Sequence, residues 1–153
     1  MKPYYFIVGI ALLLLLAGAA WFGFERPPEP FSPPEGGVIS YHNASAHDIT
    51  VELPFPGAVV GKEFNVVGEA RGRWYFEASF PVDLRKPNGE VLVQHYAQAQ
   101  DEWMTEDFVP FKADFVVLDQ TYIGPAILTL HRDNPSGLPE HDASISFPIT
   151  VEY

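Results

Sequence analysis

The chain has 153 residues and a formal net charge of -11, with nine Lys and Arg against twenty Asp and Glu. Every acidic residue lies at or after Glu25, so most of the chain repels phosphate; nucleic acid binding, which needs clustered Lys and Arg to release counterions, is excluded as a function class. With no cysteine there are no disulfides, thiolate metal sites, cysteine nucleophile or lipidated cysteine, and the fold must rest on core packing alone.

Residues 4–24 form an uncharged run of twenty-one, the length a helix needs to cross the hydrocarbon layer of a bilayer. Tyr4 and Tyr5 at one end, with Trp21 and Phe22 at the other, read as interfacial aromatic belts, and Lys2 ahead of the run directs the N-terminus to the cytoplasm. Residues 1–24 are therefore expected to be a signal anchor, one transmembrane helix that leaves the rest of the chain on the extracytoplasmic side. Ala17 and Ala19 offer a competing small-x-small cleavage site, but the apolar run continues through Trp21, Phe22 and Phe24. Residues 25–47 follow as a linker. Five prolines between positions 25 and 34 predict an extended, semi-rigid spacer, and residues 38–41 carry only a thin strand signal.

From residue 48 the apolar residues recur with period two, the mark of half-buried strands. Ile49, Val51 and Leu53 alternate with Thr50 and Glu52 until Pro54 to Gly57 break the strand, and Phe64, Val66, Gly68 and Ala70 form the next. In the clearest stretch Phe76, Ala78, Phe80, Val82 and Leu84 are assigned to one face, and Tyr75, Glu77, Ser79, Pro81 and Asp83 to the other. Pro81 marks an edge position or a bulge. Asn88 and Gly89 make a turn, residues 91–99 and 108–118 supply two further strands, and Ala126, Leu128 and Leu130 another. Ile145, Phe147, Ile149, Val151 and Tyr153 close the chain. About seven strands, frequent turns and no helical period predict an all-β domain over residues 48–153, an immunoglobulin-like antiparallel β-sandwich.

Several runs carry a resemblance. They are Pro54 to Val60, Val67 to Gly72, and Trp74 to Val82, followed by Trp103-Met104-Thr105, Asp107 to Phe111, and Asp133-Asn134-Pro135-Ser136-Gly137. Together they resemble the immunoglobulin-like domain of bacterial spore-germination proteins, a domain also found alone behind membrane anchors. The resemblance covers residues 48–153. It implies a β-sandwich, a cell-envelope location and a binding or structural role, and it transfers no catalytic residue.

Catalytic motifs are missing from the sequence itself. There is no Gly-x-Ser-x-Gly elbow and no His-Glu-x-x-His, and His42, His47, His95, His131 and His141 show no short ligand spacing. No enzyme activity and no cofactor are expected. Three constellations remain as candidate sites. Glu69, Arg71, Arg73 and Glu77 surround Gly72 and Trp74: charges beside aromatic faces grip a carboxylate or a sugar, or Arg71 meets an acidic neighbour while Trp74 or Phe76 fills the core. Trp103, among four acids, is either a recognition anchor or a cover for one end of the sandwich. Asp133, Asn134, Glu140 and Asp142 offer oxygens to Ca²⁺, although Asp and Asn beside Pro, Ser and Gly are ordinary turn-makers. The expected function is a binding or scaffolding module at the bacterial cell membrane, tethered through residues 4–24. Its contact residues would be Trp103, Tyr75 and Trp74 with Arg71 and Glu77, and its partner a protein or a cell-wall polymer. The alternatives are a purely structural envelope component with no soluble ligand, and behind it a calcium-dependent binder or an enzyme accessory domain.

Overall fold

A strand with one apolar face must lay that face on another, and nearly every alternating stretch in this sequence does so. The computed structural model describes residues 37–153. The apolar run at 4–24 and the proline-rich stretch at 25–36 lie outside the described residues, among which no helix is long and apolar enough to cross a membrane. Nine strands form: β1 (Ser40–His42), β2 (Ile49–Leu53), β3 (Val59–Val60), β4 (Glu63–Arg71), β5 (Ser79–Arg85), β6 (Val91–Ala99), β7 (Phe108–Val116), β8 (Gly124–His131) and β9 (Ser144–Val151).

Seven of these are the strands expected from the alternation; β1 overlaps the thin strand signal at 38–41, and β3 is additional. They run along the same edge of β9, β1 antiparallel at residues 144–146 and β3 parallel at residues 150–151. Between them Gly57 N donates to Pro148 O at 2.7 Å. Both strands are too short for a period to show, because their role is to pair backbone groups along an otherwise open edge. The sheet therefore begins ahead of residue 48, and residues 40–42, expected as linker, belong to it.

The strand order is β1-β9-β8-β5-β6-β7-β4-β2. The sheet folds over where β6 meets β7, since only Gln98 and Ala99 pair there, with Lys112 and Phe111. Two halves result, β2-β4-β7 and β6-β5-β8-β9, and their facing sides share one core. Phe80, Val82 and Leu84 of β5, Leu128 and Leu130 of β8, and Ile145 and Phe147 of β9 lie opposite Val66 and Ala70 of β4 and Phe111, Ala113 and Phe115 of β7, all buried.

One expected face needs correction. The alternation holds from Phe80 onward, but Phe76 is 44% exposed. Glu77 and Ala78 take positive φ values of 49° and 61°, which breaks the pleat between Phe76 and Ser79. Pro81 lies one residue beyond the β5–β8 ladder, which begins at Val82, an edge position on that side.

The topology gives the domain two unlike ends. The connections 43–48, 72–78, 100–107 and 132–143 meet at one end. The connections 54–58, 61–62, 86–90 and 117–123 meet at the other, together with residues 152–153. Gly37, the first described residue, is packed on the 54–58 connection: a Cβ there would come within 2.9 Å of the Pro56 carbonyl oxygen.

Candidate binding site at the loop end

β4 ends at Arg71 and turns through a single 3-10 turn (Gly72–Trp74). A strand sends neighbouring residues to opposite faces, whereas this turn lets Trp74 and Tyr75 both enter the core, at 1% and 5% exposure. Their rings meet Phe80 at centroid distances of 6.3 and 5.2 Å. The Tyr75 hydroxyl donates to Val109 O at 2.7 Å, and burial pushes its phenol well above the ordinary value. Trp74 and Tyr75, expected as exposed contact aromatics, are therefore core residues. The indole N–H of Trp74 meets no acceptor among the described residues.

The 100–107 loop folds over Gly72. A Cβ on Gly72 would stand 1.9 Å from Thr105 O and 2.5 Å from Trp103 O, so only glycine admits this approach. Polar side chains of the loop hold its shape: Asp101 Oδ1 accepts from Glu102 N at 2.7 Å, and Thr105 Oγ1 accepts from Asp107 N at 3.2 Å. Trp103 is half-buried against the core and Met104 is 75% exposed. Trp103 lines a cavity of about 410 Å³ with Gly72, Arg73, Tyr75, Met104, Thr105 and Glu106. A second hollow of about 330 Å³, lined by His47, Arg71, Arg73 and Glu106, adjoins the first through Arg73 and Glu106.

The arginines are placed by the loops around them. Arg71 donates through Nε to His47 O and through Nη1 to Glu106 O, each at 3.1 Å, and its guanidinium sits 4.1 Å from the Phe108 ring centroid. It clamps two backbones and pairs with no acid among the described residues. Arg73 is the one that forms an ion pair, with Asp48, and its side chain stays 61% exposed. Burial pushes the Asp48 carboxyl up, but hydrogen bonds from Arg73 and Ser45 and the Arg73 charge outweigh it and hold the group below its ordinary value. Glu77 lies outside the groove. Together with burial, the larger cause, its charge pushes the Asp133 carboxyl up.

The four residues considered for Ca²⁺ form a closed turn. Asn134 directs its amide N–H groups, and not its oxygen, to Asp142 Oδ1 at 2.7 Å and Leu138 O at 2.9 Å; Glu140 sits in a 3-10 turn (Pro139–His141). Among the described residues no group of three or more His, Asp or Glu side chains is placed to hold a metal ion. The turn thus engages Asn134 and Asp142 with each other and does not gather Asp133, Glu140 and Asp142 into one carboxylate group.

Sequence reasoning missed Asp48, Met104 and Glu106, whose place depends on contacts between distant loops. It also missed Asp83, the one buried charge among the described residues. Arg85 holds it with two bonds, Nε to Oδ1 at 3.1 Å and Nη2 to Oδ2 at 3.0 Å, and His131 Nε2 lies 3.1 Å from the same Oδ2. The pairing of β5 with β8 sets Asp83 opposite Thr129, two residues from His131, which no local spacing reveals.

This loop end belongs to a stretch with known relatives. Residues 48–137, more than half of the chain, match the family described as the immunoglobulin-like domain of bacterial spore germination. The chain belongs to this family. No curated protein matches it. In this immunoglobulin-like domain the match opens at Asp48, which holds Arg73, and closes at Gly137 in the loop before β9. All residues lining the two hollows except His47 fall inside it. β1 and β9 lie outside the match yet complete the sheet.

Proposed function

We propose that this immunoglobulin-like domain is a non-catalytic binding module of the cell envelope. Held outside the membrane by the anchor read at residues 4–24, it takes a segment of a protein or cell-wall polymer in the groove at its loop end. The observation that carries this reading is the pair of adjoining hollows walled by Trp103, the exposed Met104 and the exposed guanidinium of Arg73. Aromatic, thioether and arginine side chains are those enriched where interfaces concentrate binding energy. Acids on the same loop, Asp101, Glu102, Glu106 and Asp107, favour a partner with basic or hydrogen-donating groups at its edges.

A second reading, a purely structural spacer, draws on the internal engagement of Arg71 and of the Arg73–Asp48 pair. The two separate in one experiment. A photo-crosslinking residue is placed at Met104, and in a control at Gln94 on the outer sheet face, in the full-length chain expressed in its own membrane. Binding at the groove gives a discrete adduct from position 104 that Trp103→Ala abolishes, and none from position 94. Equal labelling from both positions, or none from 104, means that the groove takes no partner.

A further inference from the structure

The end of the domain away from the groove has a different surface. Val38, Leu53, Phe55, Val59, Leu118 and Ile123 are all exposed there, Leu118 at 82% and Phe55 at 60%. Five of them sit in or beside the 54–58 and 117–123 connections, and Val38 follows Gly37, which is packed on Pro56. Residues 54–58 carry no charge. The charges nearby nearly balance: Lys62 and Lys86 stand against Glu90, Asp119 and Glu152, with Lys86 paired to Glu90 at 2.8 Å and 4.0 Å from Asp119. At the groove end the balance is reversed. The 100–107 and 132–143 connections hold Asp101, Glu102, Glu106, Asp107, Asp133, Glu140 and Asp142 against Arg132 alone. The domain is thus polarised, apolar and nearly charge-balanced at one end and strongly acidic at the other.

We infer that the apolar end rests on the lipid surface of the membrane that holds the chain, so that the groove points away from the bilayer. This rests on the reading of residues 4–24 as an anchor. Three observations favour lipid as the occupant. The chain that precedes Gly37 joins the domain beside Pro56 and Phe55, at the apolar end. Only residues 25–36 separate the apolar run from Gly37; at the 3.1 Å per residue of a polyproline II chain they reach ~37 Å, so this end is confined near the bilayer. Such a tether gives an effective concentration on the order of millimolar, at which contacts too weak to hold a free domain become populated. Last, an anionic lipid surface repels the strongly acidic end far more than the nearly balanced one, so both terms select one orientation.

The chain has no cysteine, so single cysteines report cleanly. Full-length Leu118→Cys, Phe55→Cys and Met104→Cys variants carry a nitroxide and are reconstituted into nanodiscs of phosphatidylcholine with a quarter phosphatidylglycerol. Collision with oxygen is compared with collision with a water-soluble nickel chelate. Labels at 55 and 118 are expected to meet nickel several-fold less often, relative to oxygen, than the label at 104. Equal nickel access at all three positions in discs that contain the chain overturns the inference and leaves the anchor standing. Chain that elutes free of lipid overturns both. Dipolar broadening between labels at 118 marks a second copy as the occupant, and overturns it as well.

Discussion

The carbonyl oxygen of Thr105 lies 1.9 Å from where a Cβ on Gly72 would stand. Two backbones are thereby closed on each other, the turn that follows β4 and the loop that follows β6, and the wall of the groove depends on their approach. Gly72→Ala forces the 100–107 loop outward. The expected cost is that of overpacking, ~1–3 kcal/mol in a denaturant melt, with a change in Trp103 fluorescence at zero denaturant. An unchanged melt and spectrum would show that the loop yields freely and is no fixed wall.

Phe80 carries the packing of the two sheet halves. Its ring meets Phe111 edge to face at a centroid distance of 5.1 Å, and it also touches the two aromatics of the turn after β4. Phe80→Ala is expected to cost ~3–5 kcal/mol, read from chemical unfolding. A loss below 1 kcal/mol would mean that the core closes over the gap.

Asp83 predicts a pH dependence. Burial pushes its carboxyl up, but hydrogen bonds from His131 and Arg85, with their charges, hold it below the ordinary value of 3.8. A depressed carboxyl stabilises the fold above its unfolded-state value and loses that contribution as pH falls through its folded-state value. Asp83→Asn should therefore cost ~1–3 kcal/mol at neutral pH, less than for a fully buried pair because Arg85 and His131 are 42% and 40% exposed. The gap between variant and wild type should narrow below pH 3.8. A gap that stays constant down to pH 2 would assign the loss to packing.

Asp133 predicts the opposite sign. Burial, and then the charge of Glu77, raise its carboxyl, so ionisation opposes folding. Its favourable contribution is complete below the unfolded-state value of 3.8 and is lost as pH rises through the folded-state value. Asp133→Asn should raise the melting temperature slightly at pH 7, by ~0.5 kcal/mol or less in stability, and the gain should vanish in acid. Destabilisation at pH 7 would show that the carboxylate makes a contact the amide does not replace.

Period-two alternation is a property of the pleat itself, so seven strands could be read from residues such as Phe64 to Ala70 and Ile145 to Val151 without knowing what they pack against. Composition likewise determined the acidity and the reliance on core packing, because each follows from counting side chains. What the tertiary structure decided is where those strands meet. Alternation from Phe76 assigns Tyr75 to the outer face; the turn after β4 and an acceptor thirty-four residues away, Val109, take it inward beside Trp74. Arg71 was expected to face an acid and instead clamps the backbones of His47 and Glu106, twenty-four and thirty-five residues distant. β1 and β3 exist only because β9 leaves an edge for them. The groove has the same origin: local pattern determines which residues want burial, but a cavity is the space between elements, and it appears only once distant loops are brought together.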